Sequence, residues 1–133
     1  MAHSILKDFK NVVLCEDIRQ EKNNKHILIG VYSGDLIFTS FPAEVRLTFY
    51  IEYLPAATGH YDINFRLRVG KKKILSFIVK AEVDDPLSIG VLPIPIMMYN
   101  FKEETILLLE VSVNESNWKQ LITKKITQGK VSD

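Results

Sequence analysis

Hydrophobic and polar residues alternate along most of this chain. In VRLTFYIEY, residues 45–53, Val45, Leu47, Phe49, Ile51 and Tyr53 share one parity, while Arg46, Thr48, Tyr50 and Glu52 share the other. In YDINFRLRV, residues 61–69, Tyr61, Ile63, Phe65, Leu67 and Val69 alternate with Asp62, Asn64, Arg66 and Arg68. Successive side chains of a strand point to opposite faces, so each run has one oily face and one wet face. A helix would scatter the same charges around its axis. The linking PAATGH carries the Pro and Gly of a turn. The two runs are therefore expected to pair as an antiparallel hairpin whose apolar face needs a second layer.

The same pattern predicts strands at 12–18 and 26–32 around the polar turn EKNNK, and a short one at 35–39 before Phe41-Pro42. Three more are expected at 73–83, 105–113 and 118–127, the last two joined by the turn NESN. The alternation at 73–83 is imperfect: Leu75, Phe77, Val79, Ala81 and Val83 share a face, and Ile74 and Ile78 fall on the other, where a loop or second subunit could cover them. VLPIPIMMYN, residues 91–100, reads as an irregular crossover, because its prolines cannot donate to a ladder. No segment has a long helical period. About eight strands with no intervening helices predict an all-β chain, a single antiparallel two-layer β-sandwich over residues 1–133, with a closed barrel as the alternative. Residues 1–10 and 128–133 are expected to be loose tails, with room for a single helical turn at most in the first ten.

Composition narrows the function classes. The chain has 133 residues with 17 Lys+Arg against 16 Asp+Glu, a formal charge of +1. That balance argues against a surface built for nucleic acid or anionic lipid, though not against a local pocket for one phosphate. Cys15 is the only cysteine, so no internal disulfide can form. Lys7, Asp8 and Lys10 interrupt the first segment, and the apolar stretch 89–98 is too short to span a bilayer. A cytoplasmic location without membrane contact is the simple expectation.

One stretch carries a family resemblance. Cys15-Glu16-Asp17-Ile18-Arg19, then Lys25, then Ile27-Leu28-Ile29-Gly30-Val31-Tyr32, resembles the opening of a family of small uncharacterised bacterial proteins. In that family a CEDxR-like strand leads through a polar turn into a second strand ending in G-x-Y. Asn24-Lys25 stands here where the family often has Gly-Lys. The Phe41-Pro42 segment and the later alternating runs are also similar. The resemblance implies an immunoglobulin-like sandwich and no established activity.

Several residue groups are candidates for chemistry. The opening cluster offers a thiol, two carboxylates and His26, but adjacent strand positions point Glu16 and Asp17 apart, so they cannot form an acid–base dyad. Cys15 as a nucleophile would need a nearby base and a lowered pKa; a buried structural cysteine is the plainer reading. His3, His26 and His60 show no ligand spacing, and Asp84-Asp85-Pro86 reads as a turn rather than a calcium loop, so neither a metal nor a cofactor is expected. Arg46, Arg66 and Arg68, with Tyr50, lie on the wet faces of the two central runs; arginine forks beside an aromatic ring could bind a small anionic ligand such as a nucleotide. In the crossover, Ile94, Ile96, Met97, Met98 and Tyr99 are candidates for an interface, since exposed loops rarely carry so many apolar side chains. Three functions follow, in order. The first is a non-catalytic interaction module of bacterial or phage origin, self-associating or bound to a protein partner. The second sequesters a small anionic signal, and the third is a thiol-dependent enzyme.

Overall fold

Alternation becomes extended backbone through most of the described residues. The computed structural model describes residues 6–112 and 117–130, with side chains for all of these except 6–8, 24, 95 and 96. The described strands are β1 (Leu6–Gln20), β2 (His26–Val31), β3 (Leu36–Phe38), β4 (Ala43–Pro55), β5 (Gly59–Val69), β6 (Lys72–Val83), β7 (Gly90–Phe101), β8 (Thr105–Ser112) and β9 (Lys119–Gln128). A short 3-10 turn, Lys22–Asn24, joins β1 to β2, with Asn23 at φ 64°, a conformation that asparagine tolerates. The expected NESN turn lies almost wholly outside the described residues.

The strands form two sheets, one ordered β2-β1-β4-β7 and the other β3-β9-β8-β5-β6. One hydrophobic core draws on both: Leu14, Leu47, Phe49 and Ile51 from the first, Ile63, Phe65, Leu67, Leu107 and Leu109 from the second. Burying each such side chain contributes roughly 1.5–3 kcal/mol. Phe65 stacks on Phe77 across the β5–β6 ladder, ring centroids 5.3 Å apart. Phe38 and Phe101 stack at 6.1 Å, joining β3 of one sheet to β7 of the other. Lys124 reinforces the tie between sheets, donating from Nζ to the Tyr32 carbonyl at 2.9 Å.

Four sequence expectations need correction. The runs 45–53 and 61–69 are not a hairpin. β4 lies between β1 and β7, β5 between β8 and β6, and residues 56–58 carry the chain from one sheet to the other. The apolar face that needed a covering layer is covered by its own successor in sequence. Next, VLPIPIMMYN is a strand: β7 forms the edge of the first sheet, antiparallel to β4, which makes nine described strands rather than about eight. Proline is tolerated there because an edge strand leaves one side of its backbone unpaired and because Pro95 falls in a bulge, where the register passes from Leu47↔Met97 to Phe49↔Ile94. The sheets are also not wholly antiparallel, since β3 runs parallel to β9 through Leu36↔Ile126. Lastly, the first segment is no loose tail from residue 6 onward, because β1 pairs with β4 from Leu6↔Pro55.

Candidate functional site

The four residues expected to gather round an anion are divided between the sheets. Arg46 and Tyr50 belong to β4, Arg66 and Arg68 to β5, and in each strand they point away from the shared core. Two outer faces on opposite sheets cannot converge within one molecule. Arg66 and Arg68 are moreover spoken for. Arg66 binds Glu110 of β8 through two hydrogen bonds, Nε to Oε1 at 2.8 Å and Nη2 to Oε2 at 3.3 Å. Arg68 Nη1 reaches the same Oε1 at 3.5 Å. Glu110 faces Arg66 because both are outward positions of directly paired residues. The Arg66 guanidinium also lies 4.1 Å from the centroid of the Trp118 ring. These donors hold the Glu110 carboxyl below the usual carboxylate range, the Arg66 hydrogen bond being the main cause.

The opening cluster resolves into separate roles. Cys15 is fully buried, and its thiol donates to the carbonyls of Asp17 at 3.4 Å and Thr48 at 3.5 Å. Burial pushes the thiol pKa up, and the Asp17 and Glu16 carboxylates push the same way. A thiolate nucleophile needs the opposite. His26 pairs with Gln20 and Cys15 with Val31, so the histidine sits at the far end of that ladder from the thiol. Its ring instead meets Tyr50 at 5.6 Å. Beside this contact lies a cleft of about 320 Å³ lined by Asp17, Ile18, Gln20, His26, Thr48, Pro93 and Ile94. Thr48 is buried and donates through Oγ1 to the Glu16 carbonyl, and Asp17 accepts from the Ile18 amide, so two of the polar groups are already engaged. Tyr50 has its pKa raised by burial first and by Glu52 second. Among the described residues no three His, Cys, Asp or Glu side chains gather as a metal set, and no helix is long and apolar enough to cross a membrane.

The apolar run in β7 is mostly core. Ile94 is buried, Met97 and Tyr99 pack against the core, and Tyr99 meets Phe101 edge-on at 4.8 Å. Of these candidates with described side chains only Met98, opposite Arg46, faces out, at 51% exposure. The side chain of Ile96 lies outside the described part.

Exposed apolar side chains concentrate instead on β2. Ile27, Ile29 and Val31 are 43%, 36% and 46% exposed, and alternation places all three on one face. The strand is an edge, so among the described residues one side of its backbone has no partner strand. The other edges carry guards. β7 holds Pro93 and Pro95; β6 carries Lys72, Lys73 and Lys80; β3 is only three residues long. From His26 to Val31 there is neither lysine nor proline. Gly30 takes φ 64°, and the Glu16 side chain lies where a Cβ there would stand. The sequence did carry the signal: HILIGV has apolar residues on both faces, which one-sided burial does not require. Comparison with protein-family models and with curated proteins returns no match.

Proposed function

We propose that this chain is a non-catalytic, cytoplasmic interaction module, an immunoglobulin-like β-sandwich of bacterial or phage type that self-associates through β2. The observation that carries the proposal is the row Ile27, Ile29 and Val31 on an unguarded edge. The resemblance of the first hairpin to small uncharacterised bacterial proteins belongs to the same proposal.

A second copy suits this edge because the strand is self-complementary. Antiparallel pairing of two β2 strands about Ile29 sets Ile29 against the second copy's Ile29 and Ile27 against its Val31. Such a contact is isologous, closes as a twofold dimer and joins two four-stranded sheets into one. Covering what remains exposed of six branched side chains is worth roughly 1 kcal/mol each, about 6 kcal/mol in all. Strand-pairing hydrogen bonds add about 0.5–1.5 kcal/mol each. Association costs an estimated 4–15 kcal/mol, so the dimer is expected to be no tighter than micromolar.

Light scattering on size-exclusion fractions, loaded from about 1 to 100 μM across the range these terms imply, tests the proposal. The mass is expected to rise from monomer to dimer, and Ile29→Lys is expected to remain monomeric with an unchanged circular dichroism spectrum. A wild-type monomer at every concentration, or an Ile29→Lys variant that dimerises equally well, overturns it.

A further inference from the structure

A second site lies elsewhere, where the β5–β6 and β7–β8 links come together. We propose that the pocket between these links binds a small phosphate-bearing anion. The cavity is about 470 Å³, within the size range of small-molecule sites. Lys71 in the β5–β6 link and Lys72 at the start of β6 line it from one side, and Lys102 in the β7–β8 link from the other. A chain of net charge +1 has thus brought three cations around one concave space.

The surroundings leave those charges available. Among the described residues, no carboxylate lies within ion-pair distance of Lys71, Lys72 or Lys102. Glu103 also lines the pocket and offsets one charge. Its neighbour Glu104 is engaged with β9, accepting from the Gln128 amide at 3.0 Å. Asn100 and Thr105 add neutral hydrogen-bonding groups on the wall, and Tyr99 an aromatic surface. The two links are held together by the backbone: the Gly70 amide donates to the Ile106 carbonyl at 2.8 Å. Gly70 has φ 61°, and a Cβ there would press on Thr105 Oγ1 at 3.3 Å, so glycine allows this close approach.

Lysine ammoniums are point charges on flexible stems and bind phosphate without demanding a fixed fork. One phosphate group carries about −1.5 to −2 charges near neutral pH. Three lysines less the one charge offset by Glu103 leave about +2, which a phosphate group matches. The small anionic ligand that the sequence offered as an alternative thus finds a candidate site in lysines at two links rather than in strand arginines. No β2 residue takes part, so the site stands whether or not the chain dimerises.

Isothermal titration of the full chain with sodium pyrophosphate, and separately with ADP, tests this assignment. Both probes are expected to bind saturably, and more weakly as salt is added. Tighter binding of ADP identifies a nucleotide as the preferred source of the phosphates, whereas equal binding identifies the phosphates alone. Lys71→Glu combined with Lys102→Glu is expected to weaken both at least about tenfold, a loss of roughly 1.4 kcal/mol. Lys72→Gln is expected to weaken them less. Lys80→Glu, on β6 but outside this pocket, is expected to leave binding unchanged. The assignment is overturned by no saturable binding of either probe at about 1 mM, roughly the upper end of useful affinities. It is equally overturned if Lys80→Glu costs as much affinity as the double change.

Discussion

Glu110→Gln isolates what the outer face of β5 and β8 contributes. The substitution keeps the shape of the side chain and removes its charge, leaving Arg66 and Arg68 beside a neutral amide. In the native chain Glu110 accepts two hydrogen bonds from Arg66 and lies 3.5 Å from Arg68, with its side chain only 13% exposed. Hydrogen bonds to charged groups contribute about 1.5–3 kcal/mol, against about 0.5–1.5 for neutral ones. The arginines are 27% and 32% exposed, so water screens part of the difference. The expected loss at pH 7 is about 1–2 kcal/mol. It would appear as a lower urea midpoint with an unchanged slope. The pH dependence follows from the sign of the shift. Glu110 titrates lower in the folded chain than in the unfolded one. Its contribution is therefore complete above the unfolded value, near 4.5, and is lost as pH falls through the depressed folded value. Urea titrations of wild type and variant at pH 7 and again near pH 3, below the ordinary carboxylate range, should show the gap narrowing on the acid side. A gap that is the same at both pH values, or below about 0.5 kcal/mol at pH 7, the level of an ordinary surface change, would refute the reasoning.

Two further outcomes are expected. Cys15 should resist iodoacetamide in the native protein and react fully in concentrated urea, because its thiol is buried and its pKa is raised by that burial; stoichiometric alkylation with the circular dichroism spectrum intact would contradict this. Gly90→Ala should cost about 1–3 kcal/mol in chemical denaturation, since a Cβ at that position would enter the ring of the buried Tyr53. A denaturation midpoint equal to wild type would mean that the ring has room to move.

Side-chain direction was legible in the sequence, and strand partnership was not. Two-residue periodicity correctly assigned the inward set Leu47, Phe49, Ile51, Ile63, Phe65 and Leu67, because burial acts on each strand by itself. Which strands share a ladder depends on where a link sends the chain. PAATGH can turn within one sheet or cross between two, and its composition is the same in either case. That ambiguity misplaced the arginines: outward at 46 and outward at 66 look alike until the sheets are told apart. β7 was hidden for another reason. Its prolines forbid a central strand but permit an edge with a bulge, and a one-dimensional pattern does not distinguish these. The Lys71, Lys72 and Lys102 pocket was likewise illegible, because its two halves are about thirty positions apart and are brought together by the β5–β8 ladder and the Gly70–Ile106 backbone contact.

The placement of β9 constrains the order in which the molecule can be completed. It lies between β3 and β8, so Leu36 waits for a neighbour about ninety positions later, Ile126. While a ribosome is still extending the chain, the flank of β8 that β9 will cover stays open, and Leu36–Phe38 has no strand to lie against. The β3–β9 pairing waits for residue 126, and contacts so distant along a polymer form slowly. A nascent product halted before residue 119 would present an unfinished flank to any other extended segment nearby.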